Sequence, residues 1–154
     1  MPYTKGDLVD GRFFVTGICS EAGGMGKVLY VEDQLKEFSG TLVLKYCSEL
    51  DSEHIKRFSR EVRLMESFKG NSRVVDIFFS NTDSEPPYFV MKNYEQGDLT
   101  NYIGTLGNDP ANQEVVFTQM IDCIAELHAV ATYHRDIKPQ NFLIEGQGLS
   151  LIHI

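Results

Sequence analysis

The sequence has few cysteines and no long apolar run. Its three cysteines, Cys19, Cys47 and Cys123, are odd in number and too widely spaced for a zinc site. We therefore expect reduced core thiols and a cytoplasmic compartment. No stretch of about 18 apolar residues is present, and the first residues lack the apolar run of a signal peptide. No membrane contact is predicted within this segment.

Basic residues are also scarce. Lys and Arg number 14 against 22 Asp and Glu, a formal net charge of −8 over 154 residues. This balance argues against binding to nucleic acid or to anionic membranes. A phosphate-bearing ligand would need basic residues gathered locally.

The first 91 residues are predicted to be mainly β-structure. One amphipathic helix over 51–69 interrupts the strands, since apolar residues fall on one helical face there, Asp51 or Ser52 can cap its start and Gly70 follows its end. That face carries Ile55, Phe58, Val62 and Met65. Five strands are predicted, over residues 12–18, 27–31, 41–46, 74–79 and 88–91.

Beyond the polar stretch KNYEQGD the pattern becomes helical. Residues 113–130 are predicted to form a helix because Val116, Met120, Ile124 and Leu127 recur at helical spacing. The change from strands to helix predicts a boundary between two parts of the fold.

The string YHRDIKPQN, residues 133–141, carries the strongest chemical signal. Asp136 can orient a hydroxyl nucleophile and accept its proton, Lys138 can neutralise charge on a moving phosphoryl group, and Asn141 can ligate Mg²⁺. The alternative is a solvated polar turn. The string resembles the catalytic loop of protein kinases, HRDxxxxN, and the lysine two places after the aspartate resembles the Ser/Thr class.

Upstream, AGGMGKV lies between two predicted strands, so it can be a simple hairpin turn or a phosphate-covering loop. It is similar to the kinase Gly-rich loop, which implies that Gly23, Gly24 and Gly26 cover the nucleotide phosphates. Glu21 stands at the family's first glycine position, a departure that would weaken nucleotide binding through bulk and negative charge.

A strand-end lysine such as Lys45 is by itself most often only solvated. It ends the apolar run LVLK and precedes Glu61, on the predicted helix, by sixteen residues. The resemblance implies that Lys45 holds the α- and β-phosphates of ATP and pairs with Glu61.

The segment YFVMKNYEQGDL resembles the last strand of the kinase small lobe and the hinge after it. The resemblance implies that Met91 is the gatekeeper and that the backbone of Lys92 and Tyr94 bonds the adenine edge, although such positions carry no side-chain signature. It also implies that the adenine ring lies between Val28 and Val43 on one side and Leu143 on the other.

The resemblance implies a bilobal α+β kinase fold. Its parts would be an N-lobe of five strands and one helix over 1–91, a hinge over 92–97, and a truncated C-lobe over 98–148 that stops before the second metal-binding motif, DFG. The last residues, LSLIHI over 149–154, resemble the translation of a sequencing-library adapter, so we expect a non-native tail.

The function implied is γ-phosphoryl transfer from ATP, with Mg²⁺, to a Ser or Thr hydroxyl of a protein substrate. The parent protein would be the enzyme, and this segment alone is expected to be inactive. Two alternatives remain. Glu21, and His153 at the position of the DFG aspartate, would suit a pseudokinase that binds partners without transfer, and a small-molecule kinase would usually show HGD in place of HRD.

Overall fold

A computed structural model describes residues 3–20, 26–105, 107–130, 137–145 and 150–153 of the chain. The chain divides into two compact units. One comprises Met1–Lys69 with Asp76–Asn93, and the other comprises Gly70–Val75 with Tyr94–Ile154. The lobe and hinge boundaries of the sequence analysis stay predictions.

The first unit is built on a six-stranded sheet in the order β1-β2-β3-β4-β6-β5, in which all neighbours are antiparallel. The central strands β4 and β6 are almost wholly buried, in keeping with their runs of β-branched and aromatic residues. The strands are β1 (Leu8–Val9), β2 (Phe13–Ser20), β3 (Gly26–Asp33), β4 (Leu42–Cys47), β5 (Ile77–Asn81) and β6 (Tyr88–Lys92).

Two strand predictions for this unit were wrong. The sheet has six strands because the two-residue strand β1 pairs with the start of β2, and a strand so short leaves no periodic signal. The fifth predicted strand begins at Ile77 and not at residue 74. The amide of Val74 donates to the carbonyl of Asn71, so the chain is still in a turn at that point.

Helix α1, Ser52–Ser67, agrees with the predicted helix. The Asp51 carboxylate accepts from the backbone amides of Glu53 and His54 at 3.0 and 3.1 Å, satisfying two amides of the first turn. After the helix, Gly70 takes φ +81°, which suits glycine. The buried side chains of the predicted apolar face are Phe58, Val62 and Met65, while Ile55 is half-buried.

A buried carboxylate joins the start of β2 to the end of β3. Asp33 accepts from Nε and Nη2 of Arg12 at 2.9 and 3.0 Å, and its side chain is fully buried. It also accepts from three backbone amides of the following loop, at 3.0–3.2 Å. The Arg12 guanidinium lies over the rings of Phe13, Phe38 and Phe79 at 5.0–5.5 Å.

The second unit contains α2 (Leu99–Ile103), α3 (Pro110–Ala129), a 3₁₀ turn (Pro139–Asn141) and the hairpin β7 (Phe142–Glu145) with β8 (Ser150–His153). Its buried core consists of Leu99, Val116, Cys123, Phe142 and Ile144. Within the parts of the chain that the structure describes, no helix has the length and apolar character needed to cross a bilayer.

Helix α3 begins three residues before its predicted start at residue 113. Pro110 occupies its first turn, and the Asp109 carboxylate accepts from the amide of Ala111 at 3.0 Å. Proline at the start and aspartate at the cap are both helix-start signals. Residues 150–153 form a strand, and the assignment of 149–154 to an adapter stays a prediction.

The expectation that all three cysteines lie in the core was wrong for one of them. All three are free thiols, and Cys47 and Cys123 are buried, but Cys19 is exposed. Register shifts occur between Val15 and Gly17 and between Ile18 and Ser20, and they interrupt the alternation of inward and outward side chains along β2. Cys19 therefore does not point inward, as regular alternation from Phe13 would require.

Candidate active site

An ion pair joins the sheet of the first unit to its helix. The Lys45 ammonium, from β4, lies 2.8 Å from Oε1 of Glu61 on α1. The two side chains are 22% and 28% exposed, so water reaches the pair and screens it. The structure therefore brings together the two charged residues that were predicted to act together.

The two faces of β4 serve different purposes. Leu42, Leu44 and Tyr46 point into the buried core on one face. The opposite face carries Val43 and Lys45, as expected from the alternation of a strand. Cross-strand register places Met91 beside Val43 and Val28 beside Lys45, on that same face. Four of the predicted nucleotide-site residues thus share one side of the sheet.

Gly26 approaches β4 more closely than any other residue type could. A Cβ atom built there would lie 2.8 Å from the carbonyl oxygen of Tyr46 and 3.2 Å from Cγ and Cε of Lys45. The first of these contacts is with backbone and could be relieved only by moving a strand. The resemblance gave Gly26 a role toward phosphate, whereas the structure adds a packing role beside the lysine stem.

Phe89 is a site neighbour that the sequence analysis missed. It stands opposite Lys45 in the register of β4 and β6, and its ring centroid lies 5.7 Å from the Lys45 ammonium. The only signal that could have found it is this cross-strand pairing, which becomes visible once the register is known.

The second unit holds three more predicted site residues close together in the chain. Lys138 is exposed and extended just before the 3₁₀ turn, and Asn141 ends that turn, its amide donating to the Lys138 carbonyl at 3.0 Å. Leu143 lies in β7 and is 9% exposed. The buried neighbours Phe142 and Ile144 anchor this stretch in the core of the unit.

The remaining predicted residues are distributed as follows. Lys92 ends β6 and is exposed, and Tyr94 is half-buried in the second unit. Asp136, Gly23 and Gly24 lie outside the described residues.

The donor groups present fit a phosphate and a hard divalent cation. An ammonium held by a carboxylate, as in Lys45 and Glu61, can bind a phosphate oxygen. The side-chain oxygen of Asn141 is the kind of hard ligand that Mg²⁺ prefers. These are the groups that phosphoryl transfer requires for binding and charge neutralisation.

A second group of potential ligands lies at the start of α1. Atoms of Glu49, Asp51 and His54 lie within 4.8 Å of one another. The Asp51 carboxylate already accepts the amides of the helix start. Hydrogen bonds from the backbone amide and the imidazole of His54 lower the pKa of the Asp51 carboxyl. The role of Asp51 as a helix cap therefore accounts for this group of side chains.

Comparison with known proteins gives consistent matches. A family model described as "Protein kinase domain" matches residues 22–154. The chain is 30% identical over 145 residues to "Serine/threonine-protein kinase PrkC" of Bacillus subtilis, and 29% identical over 142 residues to "CDPK-related kinase 1" of Arabidopsis thaliana. These matches cover 93% and 90% of the chain, but only 22% and 23% of the two relatives.

Among solved structures, a double mutant of the PknI kinase domain of Mycobacterium tuberculosis matches with a TM-score of 0.75 at 20% identity. The match covers 99% of this chain and 61% of that one. At this identity the likeness concerns the fold, and it confirms the predicted kinase-like α+β fold.

Proposed function

Because the chain belongs to the protein kinase domain family, we propose that the complete protein transfers the γ-phosphoryl group of ATP to Ser or Thr hydroxyls of a protein substrate. Of the relatives reported above, PrkC is described as a serine/threonine-protein kinase, which supports the Ser/Thr class. The chain spans under a third of these relatives, so substrate and turnover belong to the proposal. The three free thiols support a reducing, cytoplasmic compartment.

The observation that carries the proposal is the 2.8 Å pair of Lys45 and Glu61. In the proposed reaction Glu61 orients Lys45, and Lys45 holds the α- and β-phosphates. Adenine and phosphate contacts are proposed for Gly23, Gly24, Gly26, Val28, Val43, Met91, Lys92, Tyr94 and Leu143.

The transfer step is assigned to the segment 136–141. The substrate oxygen attacks the γ-phosphorus, its proton passes to Asp136, and the bond to the β-phosphate oxygen breaks to release ADP. Lys138 neutralises charge on the moving group, and Asn141 would hold Mg²⁺. When bound, Mg²⁺ supplies neutralisation of the phosphate charge.

The proposal is tested in the complete protein by the substitutions Lys45→Met and Asp136→Asn. Lys45→Met should abolish turnover while adenosine binding remains detectable, because the ammonium is proposed to contact the phosphates of ATP and not its adenosine part. Asp136→Asn should slow transfer about 10²- to 10⁴-fold, the usual effect of losing a positioned base. Lys56→Met removes an exposed charge from α1 and is the matched control. Full activity of either site variant would contradict the assignment.

The pseudokinase remains the second candidate because of Glu21 and His153. His153 ends β8 at the position where the family carries its second metal aspartate, and its backbone pairs with Phe142. Nucleotide binding by the complete protein without any phosphoryl transfer would favour it. Transfer that depends on Asp136 would exclude it.

A further inference from the structure

The ring of Phe89 occupies a distinctive place beside the ion pair. Lys45 and Phe89 are cross-strand partners, so their side chains leave the same face of the sheet. The ammonium lies 5.7 Å from the ring centroid, within the range of about 6 Å in which a cation is attracted to an aromatic face. The ring itself is fully buried and has a fixed environment.

The same ring also contacts the helix that carries the glutamate. Phe58 of α1 packs against Phe89 with ring centroids 5.8 Å apart, and Phe58 lies one helical turn before Glu61. Phe89 therefore lies beside the lysine ammonium and packs against the helix that carries the lysine's partner.

We propose that the face of Phe89 is a positioning group for Lys45, which confines the ammonium to the place where it meets both Glu61 and, on the proposed function on which this inference rests, the phosphates of ATP. Lysine has a long, flexible stem, and a partly hydrated carboxylate 2.8 Å away restrains only its end. The negative electrostatic face of the ring supplies a second attraction from another direction.

The competing explanation is that Phe89 only fills space. Phe89→Leu does not separate the packing role from the electrostatic role, because it removes ring volume and the negative ring face together. Fluorinated phenylalanines do separate them, since added fluorine atoms weaken the negative face of the ring while nearly preserving its shape. A charge effect should grow with the number of fluorines, and a packing effect should not.

The experiment incorporates mono-, di- and pentafluorophenylalanine at the position of Phe89 in the complete protein. It measures the dissociation constants of Mg²⁺-ATP and of adenosine at equal ionic strength. Affinity for ATP should fall progressively, by about two- to fivefold for the pentafluoro ring, while affinity for adenosine stays constant. Pentafluorophenylalanine at Phe58 is the control, because that ring shares the ring–ring contact but has no cation over it among the described residues.

The outcomes separate this inference from the function on which it rests. If unmodified protein binds ATP no more tightly than adenosine, the phosphate role of Lys45 and the role of Phe89 both fall. If it prefers ATP but fluorination at 89 changes nothing, or weakens ATP and adenosine equally, only the role of Phe89 falls. Thermal melting monitors folding. If the pentafluoro protein unfolds, the change in ATP affinity from the unmodified to the mono- and difluoro rings decides between the two roles.

Discussion

Replacing Asp33 by Asn tests the buried ion pair of Asp33 and Arg12, which joins the end of β3 to the start of β2. The carboxylate accepts two hydrogen bonds from Arg12 and three from loop amides. Asn has the same shape and keeps one acceptor oxygen. Its NH₂ group replaces the second oxygen, however, and as a donor it would point at other donors. Among the described residues, the guanidinium of Arg12 would keep only Glu37 as a carboxylate partner, and that side chain is exposed.

The size of the effect can be worked out from the pKa of Asp33. The hydrogen bonds from Arg12, and then those from the amides of Phe38 and Leu35, lower this pKa from 3.8 to about 2, against the opposing effect of burial. A carboxyl with such a lowered pKa contributes about 2 kcal/mol to the free energy of unfolding at neutral pH. With the added cost of a poorly paired guanidinium, Asp33→Asn should lose about 2–4 kcal/mol.

The pH dependence follows from the sign of this shift. Because the pKa is lower in the folded chain, the stabilisation is present above pH 3.8 and is lost as the pH falls toward 2. Urea unfolding, followed by circular dichroism from about pH 2 to neutral pH, should show the difference between wild type and Asp33→Asn shrinking in that window. Glu32→Gln, at the exposed neighbouring position, is the control. A difference that stays constant over the whole pH range would refute the reasoning.

Two further predictions concern the packing of Gly26 and the reactivity of the thiols. Gly26→Ala should destabilise the chain by about 1–3 kcal/mol and displace Lys45, because the new Cβ would lie 2.8 Å from a backbone oxygen. Thermal unfolding measures this loss of stability. Gly104→Ala is the control and should be nearly neutral, because the space around its Cβ is open. Iodoacetamide followed by peptide mass spectrometry should label Cys19 first, because Cys19 is exposed. Burial raises the pKa of Cys47, and it raises that of Cys123 to about 11, so rapid labelling of either in folded protein would contradict the structure.

Local signals in the sequence were sufficient for the elements that carry the charged pair. Helix α1 was predictable because an aspartate cap, a 3.6-residue apolar period and a following glycine all occur within one stretch. Lys45 and Glu61 alone are ordinary surface charges, and only the order and spacing of several motifs together singled them out. The resemblance to a family therefore contributed what periodicity could not.

Features that depend on strand register were not predictable in the same way. Strict alternation along β2 would place Cys19 on the inward side with Phe13 and Val15. The bulge between Val15 and Gly17 shifts that phase, and Cys19 is itself the extra residue of the second bulge, between Ile18 and Ser20. Each bulge adds one residue to one strand, so it changes which face every later side chain occupies. Gly17 is typical of a bulge and lies beside the first one, but no residue type in β2 marks the second one, at Cys19.

The same dependence explains why the surroundings of Lys45 emerged only with the fold. Gly26 and Phe89 lie on the two strands that flank β4, nineteen residues before the lysine and forty-four after it. Their relation to Lys45 exists only because β3 and β6 pair with β4 in one particular register. A shift of either strand by one residue would turn these side chains to the other face and leave the ammonium with Glu61 alone. The register of three strands thus determines how firmly the lysine is held, while its identity as the paired lysine depends on sequence spacing.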